Sequence, residues 1–304
     1  MGKPPIHPYI ILFIGVLSIS TSAIFVKLAG DAPASMVAFY RLTLAVVIMA
    51  PYVLWKHIDE IKQIQRKDWF LAIFSGIFLA FHFILWFQSL SYTTVASSVV
   101  LVSLQPVFAF LGTYIFFRER FTVGAILSLA ITLVGSTIVG WGDFQISGLA
   151  LLGDALALLG AIMVTGYFLL GQNLRQRLSL MTYTFIAYGM AAVTLLIYNA
   201  VLGYSFTGYT GNQWLIFTAL AIIPTFFGHS LFNWTLKWLS ASTISMAVLL
   251  EPIGASLLAF WILHETISWS QWLGGSIVIF GLMMFIFSTM KKVKPKLTHD
   301  SKDG

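Results

Sequence analysis

The sequence predicts an all-α integral membrane protein of ten transmembrane helices, arranged as two inverted five-helix repeats. Three observations lead to this prediction: the composition, the number of long apolar runs, and a set of residues that recurs at a fixed distance along the chain. Of the 304 residues, 59% are hydrophobic and only 9% are charged, and the mean hydropathy is +0.90. Because a soluble domain carries about 25% charged residues, this composition excludes a soluble globule and a disordered or nucleic-acid-binding chain. The absence of cysteine excludes disulfide frameworks and thiolate zinc sites.

Ten apolar runs are each long enough to cross the hydrocarbon core, which takes about 20 mostly apolar residues. Numbered span 1 to span 10 in chain order, they are predicted at 8–29, 33–55, 68–90, 94–117, 122–141, 149–171, 180–203, 213–236, 239–263 and 268–290. The first run follows Lys3 without a small-residue cleavage pattern, so we expect it to be retained rather than removed as a signal peptide. No loop is long enough for a soluble domain, and any function is therefore expected inside the bundle.

The basic residues predict the orientation of the chain in the membrane. With ten spans, both termini and the loops that follow the even-numbered spans share one side. Fifteen of the 17 Lys and Arg residues fall on that side, whereas Lys27 ends span 1 and Arg41 lies within span 2. By the positive-inside rule we expect both termini to be cytoplasmic and the 142–148 connection to be outside. The basic tail at 291–304 is expected to lie against the anionic cytoplasmic leaflet.

An internal repeat relates the two halves of the chain at an offset of 146 residues. Its landmarks are Thr94–Ser98, Gln105, Pro106, Glu119, Thr122 and Gly135 in the first half, and Ser240–Ile244, Glu251, Pro252, Glu265, Ser268 and Gly281 in the second. His82 and His229 also match if a one-residue shift is allowed. We expect the repeats at 1–145 and 146–290. Because each has an odd number of spans, they cross in opposite directions, as in secondary transporters whose substrate sites lie near the midplane where the repeats meet.

These features resemble the drug/metabolite transporter superfamily, and within it the two-repeat EamA-type transporters. The residues that carry the resemblance are the small-residue start of span 4 at Thr94–Ser98, the mid-span prolines, and the Glu-x-[Phe/Ile]-[Thr/Ser] sequences after spans 4 and 9. The resemblance covers nearly the whole chain. It implies movement of small metabolites, often export of amino acids or related compounds, across a prokaryotic inner membrane, and it implies no cofactor.

Glu251 and Gln105 are the first candidate site residues, because they occupy matching mid-span positions of the two repeats. An ionisable side chain at mid-bilayer is costly and usually marks a pathway. Glu251 is therefore expected to take up a proton or to contact a cationic group, although a neutral packing role remains open. Pro106 and Pro252 follow directly, and each removes one backbone donor, which frees carbonyl groups and permits a hinge or cavity. The alternative is that membrane helices simply tolerate proline.

A second set of candidates comes from spans 3 and 8. His82 and Trp86 are four residues apart, as are His229 and Asn233, so each pair is predicted to share a helix face. An aromatic ring beside a hydrogen-bonding group suits an amphipathic metabolite, and interhelical hydrogen bonding is the alternative. Without acidic neighbours at ligand spacing, the two histidines make a poor metal site, and no metal is expected.

Arg41 lies deep within span 2, where it could bind a substrate carboxylate or form a structural ion pair with an acid such as Asp154 in span 6. The hydroxyl-rich segment Ser18–Ser22 of span 1 could line a path or allow close packing, and close packing is favoured. The stripe of Gly153, Ala157 and Ala161 is expected to be a packing face. Thr122 and Ser268 are predicted to cap spans 5 and 10, with Glu119 and Glu265 in structural roles near the helix starts.

Taken together, the pattern predicts a secondary transporter that moves a small-molecule substrate by alternating access, with protons as a candidate coupling ion. The alternatives are an integral-membrane enzyme acting on lipid-like substrates and a receptor or scaffold. An enzyme of that class would need clustered acids, histidines or a metal site, and only Glu251 and Asp154 are clearly intramembrane acids. No Walker A sequence is present, which argues against ATP-driven pumping. Substrate identity, transport direction, coupling and oligomeric state stay open.

Overall fold

The computed structural model describes residues 4–93, 95–141, 148–262, 264 and 266–290, and every regular element among them is helical. Within those residues nine helical stretches are long and apolar enough to cross a membrane, and the shorter apolar helix Val123–Val139 occupies the position of span 5. The predicted all-helical fold of ten membrane helices is thereby confirmed. Thr94, Glu265, the 142–147 connection and the 291–304 tail lie outside the described residues.

Six spans are single helices, and their bounds follow the apolar runs closely. Spans 2, 3, 5, 6, 7 and 10 are Ala34–Lys56, Arg66–Ser89, Val123–Gly140, Gly148–Leu174, Leu180–Val201 and Trp269–Met290. A short helix, Ile58–Lys62, lies between spans 2 and 3. The predicted caps of spans 5 and 10 are present, because Thr122 accepts a hydrogen bond from the Ala125 amide at 3.1 Å and Ser268 accepts one from the Gln271 amide at 3.3 Å.

Three of the other four spans are interrupted near their middles, and span 8 changes helix type without a break. Span 1 comprises Pro8–Ile19 and Ser22–Leu28, span 4 Val95–Val102 and Gln105–Phe117, and span 9 Ala241–Val248 and Glu251–Ile262. Span 8 comprises Gly211–Leu220, a π-helical segment Ala221–Ser230 and Leu231–Thr235. Spans 4 and 9 break at matching positions, so that Pro106 and Pro252 each lie in the first turn of a new helix. The missing proline N–H has no intrahelical partner there and costs little.

The packing of the spans follows the repeat. Spans 2 and 7, 4 and 9, and 5 and 10 pack against their own counterparts, and the contact of span 3 with span 6 is mirrored by that of span 8 with span 1. Likewise, span 3 packs on span 7 as span 8 packs on span 2. This exchange pattern is that of a pseudo-two-fold axis between the halves. The axis brings the broken spans 4 and 9 together at the centre of the bundle.

Small residues allow the closest approaches between helices. A Cβ on Gly135 of span 5 would lie 2.8 Å from the Gly274 carbonyl oxygen of span 10, and a Cβ on Gly281 would lie 2.3 Å from Thr132 Oγ1. The predicted stripe of span 6 packs as expected: Ala157 and Ala161 are fully buried, and a Cβ on Gly153 would lie 3.0 Å from Thr93.

Candidate functional site

A central cavity lies between the two halves, and every side chain that lines it is buried. Its lining comprises Ile19, Ser22, His82, Trp86, Val102, Gln105, Val164, Phe168, His229, Phe232, Val248 and Glu251. These residues come from spans 1, 3 and 4 of the first half and spans 6, 8 and 9 of the second. About 30 Å³ of the cavity can hold the centre of a water molecule. As it stands in this structure, the cavity therefore has room for a few water molecules and not for a whole metabolite.

The breaks in spans 4 and 9 place Gln105 and Glu251 in the cavity wall. Each is the first residue of the second helical segment of its span, and they are 3% and 5% exposed. The amino end of a helix carries a partial positive charge and the carboxyl end a partial negative charge. The first segments of spans 4 and 9 end at Val102 and Val248, which also line the cavity, so each break presents helix ends of both signs to it.

Ser20 of span 1 donates its hydroxyl proton to the Val16 carbonyl at 2.9 Å, and its oxygen lies 3.5 Å from the Glu251 backbone carbonyl oxygen. A Cβ on Gly254 would lie 2.3 Å from Ser20 Oγ. The hydroxyl-rich segment thus packs closely on span 9, as predicted.

The predicted histidines face each other across the cavity from the two halves. The ring centroids of His82 and His229 are 6.3 Å apart, and His82 stacks on Trp86 at 5.5 Å with 22° between the planes. His82 Nδ1 donates to the Gly160 carbonyl oxygen at 2.9 Å, an assignment that follows from the carbonyl's being an acceptor only. Among the described residues, no group of three His, Cys, Asp or Glu side chains could hold a metal ion.

Asn233 does not line the cavity, although it follows His229 by four residues. Its side-chain amide donates to the Tyr167 hydroxyl, and its backbone carbonyl accepts from Arg175 Nε at 2.9 Å. The π-helical segment that contains His229 ends at Ser230. Because a π-turn holds more residues than an α-turn, the four-residue spacing no longer places both side chains on one face.

Arg41 lies behind the cavity wall and is fully buried. Its Nε donates to Thr225 Oγ1 at 2.7 Å, one terminal nitrogen donates to Ser22 Oγ at 2.9 Å, and its guanidinium carbon lies 4.3 Å from the centroid of the Phe83 ring. The alternative of an ion pair with Asp154 is wrong, because Asp154 accepts a hydrogen bond from Ser97 at 2.9 Å and no acid of the described residues pairs with Arg41 within 4 Å.

Ser22 lines the cavity, which is the path-lining alternative for its segment rather than the favoured packing role. Thr225 is not among the residues that the sequence pattern singles out. A signal for Thr225 was present, since it follows Pro224, which has no counterpart in span 3. A hydroxyl beside a mid-span proline can satisfy the carbonyl that the proline leaves free.

Polar contacts close the bundle on both sides of the cavity. One side of the bundle carries the loops that follow the even-numbered spans. On this side Arg177 and Asp68 form an ion pair at 2.7 Å, and the Glu60 carboxylate accepts a hydrogen bond from the Ser179 backbone amide at 2.6 Å. Glu119 accepts from Ser242 at 3.0 Å, so this acid ties the loop after span 4 to the start of span 9. On the other side, Ser35 donates to Asn199 at 2.5 Å and Lys27 donates to the Leu90 carbonyl at 2.9 Å.

Comparisons with known proteins agree with this architecture. An uncharacterized transporter of Archaeoglobus fulgidus is 24% identical over 273 residues, which are 90% of this chain and 94% of the relative. The uncharacterized transporter YdfC of Bacillus subtilis is 23% identical over 295 residues, with 95% and 94% covered. A protein of known crystal structure superposes with a TM-score of 0.76 at 17% identity, over 94% of this chain and 99% of that one, and shares the fold.

The sequence profile of the EamA-like transporter family matches the chain twice, at residues 7–141 and 151–287. The two matches cover nearly all of both halves, and the helical bundle, its internal repeat and its central cavity have the form that such a repeat requires. The chain belongs to the EamA-like transporter family and is a multi-pass membrane transporter.

Proposed function

We propose that this transporter is a secondary transporter that moves a small metabolite by alternating access at the interface of the two repeats. The observation that carries the proposal is the meeting of two broken spans, 4 and 9, at one buried cavity. Non-helical backbone at membrane depth is tolerated only where it is buried in protein or lines a water-filled cavity, and in secondary transporters broken helices form the substrate site. The halves 1–145 and 146–290 are the units that move relative to each other. Gln105, Glu251, His82, Trp86 and His229 bind the substrate, with Pro106 and Pro252 as the points of flexure.

The closing contacts on the two sides act as alternating gates. When the cavity opens toward the loops that follow the even-numbered spans, Asp68 separates from Arg177 and Glu60 separates from Ser179. When the cavity opens toward the opposite side, Ser35 separates from Asn199. Each set consists of a few polar contacts near the ends of spans. Such contacts can be exchanged for water without exposing the apolar core.

Glu251 is the coupling residue in this proposal. Its carboxyl group lines the buried cavity at mid-span, where an ionisable side chain is costly and usually marks a pathway. Such a carboxyl group can gain and lose a proton as the cavity opens to each side in turn. Gln105 occupies the mirror position and cannot titrate, so it supplies a fixed hydrogen-bonding group.

In this proposal both termini are cytoplasmic, as the basic residues favour. A prokaryotic inner membrane and the export direction are what the family resemblance favours. The split of 15 basic residues on one side carries the orientation. Reporter fusions at residue 145 and after residue 290 should report opposite sides of the membrane. Reports from the same side would overturn both the orientation and the odd number of spans in each repeat.

The test of function is flux in liposomes that contain the purified protein, with a panel of amino acids and other metabolites and with or without a pH gradient. Glu251→Gln keeps the size and hydrogen bonding of the side chain and removes its ionisation. We expect this variant to fold and to lose gradient-driven flux while retaining exchange. Asp59→Asn, which neutralises an acid whose side chain is 85% exposed, is the matched control and should transport like the wild type. Equal gradient-driven rates in Glu251→Gln and wild type would reduce Glu251 to a packing residue.

A further inference from the structure

A groove on the outer surface of the bundle lies between spans 3, 4 and 6, at the end that carries the loops following the even-numbered spans. Lys67 and Asn173 are its polar lining residues, and the rest of the lining is leucine, phenylalanine and Gly166. About 450 Å³ of the groove can hold the centre of a water molecule, against about 30 Å³ in the central cavity. Among the described residues none lines both, so the groove is a separate site.

The packing of the helices explains why the groove is open. Spans 3 and 4 both pack on span 6, whereas the second segment of span 4, Gln105–Phe117, does not pack along span 3. A gap between these two helices is the result. Gly166 of span 6 adds no side chain to it, and a Cβ at this position would lie 3.2 Å from the Phe78 ring. Phe116 of the lining is 72% exposed, so the gap opens toward lipid and not toward the interior of the bundle.

The length of the groove matches one leaflet of the bilayer. Its lining on span 3 runs from Lys67 to Phe78, and at about 1.5 Å per residue these positions are about 16 Å apart along the helix. The hydrocarbon core is about 30 Å thick, so one leaflet contributes about half of that. Lys67 is the second residue of span 3 and Phe117 is the last of span 4. The groove therefore begins at the membrane surface and ends near the midplane, as an acyl chain does.

The surface end of the groove carries an excess of positive charge. Lys67 is exposed and forms no ion pair with any acid of the described residues. Asp68, the next residue, is paired with Arg177 at 2.7 Å, and Arg177 also donates to Asn173 Oδ1 at 2.7 Å. Arg118 follows the lining residue Phe117 directly. Three cations thus border this end beside one acid that is already paired, and an anionic group at the membrane surface complements them.

We propose that this groove is a binding site for an anionic phospholipid, with the phosphate group at Lys67 and one acyl chain along the leucine and phenylalanine lining. An acyl chain that enters the groove leaves other acyl chains, and lipid tails are as apolar as leucine. The apolar lining therefore admits any phospholipid, and the charge of the headgroup decides which one is preferred. A zwitterionic headgroup brings its own cation beside Lys67, whereas an anionic headgroup does not. The site is independent of the central cavity and of the transport mechanism.

Native mass spectrometry of the purified protein, released from detergent micelles, measures lipid binding directly. The probes are dioleoylphosphatidylglycerol, dioleoylphosphatidylcholine, which has the same acyl chains and a zwitterionic headgroup, and glycerol 3-phosphate, which has no acyl chain. We expect the phosphatidylglycerol to bind at least about fivefold more tightly than the phosphatidylcholine, and glycerol 3-phosphate not to bind. Equal affinities for the two lipids, or binding of glycerol 3-phosphate as tight as that of the phosphatidylglycerol, would overturn the proposal.

A charge variant tests the headgroup end. Lys67→Gln should weaken binding of the phosphatidylglycerol about fivefold and leave binding of the phosphatidylcholine unchanged. Arg66→Gln is the matched control, because Arg66 is the neighbouring cation, is also exposed and does not line the groove. Both side chains are at the surface, so both variants should fold. Wild-type affinity in Lys67→Gln, or an equal loss in Arg66→Gln, would replace the site by a general attraction of the surface for anions.

A second variant tests the acyl-chain end. Leu170→Trp fills the groove from span 6 and should weaken binding of both lipids. Leu159→Trp is its control, since Leu159 lies eleven residues earlier on nearly the same helix face, is 44% exposed and does not line the groove. Unchanged binding of the phosphatidylglycerol in Leu170→Trp would overturn the proposal. A dimer of the wild type that Leu170→Trp dissociates would also overturn it, because the groove would then be occupied by a second copy of the chain. Should Leu170→Trp fail to fold, Lys67→Gln still decides the matter.

Discussion

Spans 4 and 9 break at the same place in the two repeats, yet span 4 resumes with an amide, Gln105, and span 9 with a carboxyl group, Glu251. Their surroundings differ as well. The Gln105 backbone carbonyl oxygen lies 3.3 Å from Thr165 Oγ1 of span 6, whereas the Glu251 carbonyl oxygen lies 3.5 Å from Ser20 Oγ of span 1. The two halves therefore share the same backbone arrangement, but they place different chemical groups in the cavity.

The same contrast holds for the helices around these breaks. At the offset of 147 that relates His82 to His229, Arg41 of span 2 corresponds to Tyr188 of span 7, which bonds to Ser230 at 2.9 Å. Span 3 is a regular helix, whereas span 8 contains the π-helical segment with Pro224 and Thr225. Duplication thus provides the pseudo-two-fold scaffold, and substitutions on it produce one cation and one acid at a shared cavity. A substrate bound there meets two different walls.

The largest expected effect comes from moving the acid to the mirror position. The double variant Gln105→Glu with Glu251→Gln keeps the composition of the cavity, and we expect it to fold. It should lose gradient-driven flux in liposomes at least about tenfold, because the acid then faces span 6 rather than spans 1 and 2. Single Glu251→Gln is the reference. Wild-type flux in the double variant would show that the Gln105 and Glu251 positions are equivalent, and it would contradict the chemical difference between the two repeats.

A smaller effect is expected where the repeats remain alike, at the crossing of spans 5 and 10. In Gly281→Ala the new Cβ would lie 2.3 Å from Thr132 Oγ1 and 3.2 Å from the Ser128 carbonyl oxygen. Overpacking of this kind costs about 1–3 kcal/mol of stability. Gly189→Ala is the matched control, since a Cβ at Gly189 would have no atom within 4 Å and helix propensity favours alanine by about 0.5–1 kcal/mol. Thermal unfolding in detergent should separate the two variants, and equal midpoints would contradict the close crossing.

The smallest effect is expected at the start of span 7, where the Glu60 carboxylate accepts a hydrogen bond from the Ser179 backbone amide. The counterpart in the first repeat is the start of span 2 at Pro33, which has no side-chain cap. Burial raises the pKa of Glu60, but hydrogen bonds from Ser179, Thr182 and His57 outweigh burial and hold the pKa below its ordinary value of 4.5. A depressed pKa in the folded state contributes stability above the unfolded pKa, and that stability is lost as the pH falls through the folded pKa.

Glu60→Gln should therefore lower stability by about 1 kcal/mol at neutral pH, as the loss of a helix cap does. The difference from wild type should shrink as the pH falls below 4.5. Asp59→Asn, one residue earlier and 85% exposed, should stay within about 0.5 kcal/mol. Unfolding midpoints measured across this pH range check both expectations. A difference between Glu60→Gln and wild type that does not change with pH would contradict stabilisation of span 7 by the ionised Glu60 carboxylate.

The sequence predicted where the chain crosses and which residues meet, with identifiable exceptions. The predicted limits of spans 2 and 7 differ from the helix bounds by two residues at most, because the apolar runs set the length of a membrane helix. Five of the seven candidate side chains line the cavity, since the offsets of 146 for Gln105 and Glu251 and of 147 for the two histidines placed matching residues on matching helices. Asn233 is outside the lining because of the π-helical segment, which apolar periodicity does not reveal, and Arg41 lies one layer behind Ser22.

Composition, apolar run length and the repeat thus determined a ten-helix membrane transporter with two related halves, because a helix in lipid must satisfy its backbone groups within itself and stay apolar over a fixed length. Only the tertiary structure decided which polar groups are paired. Pairing depends on distances of a few tenths of an ångström between residues far apart in sequence, such as Arg41 and Thr225, 184 residues apart. That is why the sequence allowed Asp154 as a partner of Arg41, and why the packing of spans 1, 2 and 8 gave it two hydroxyls instead.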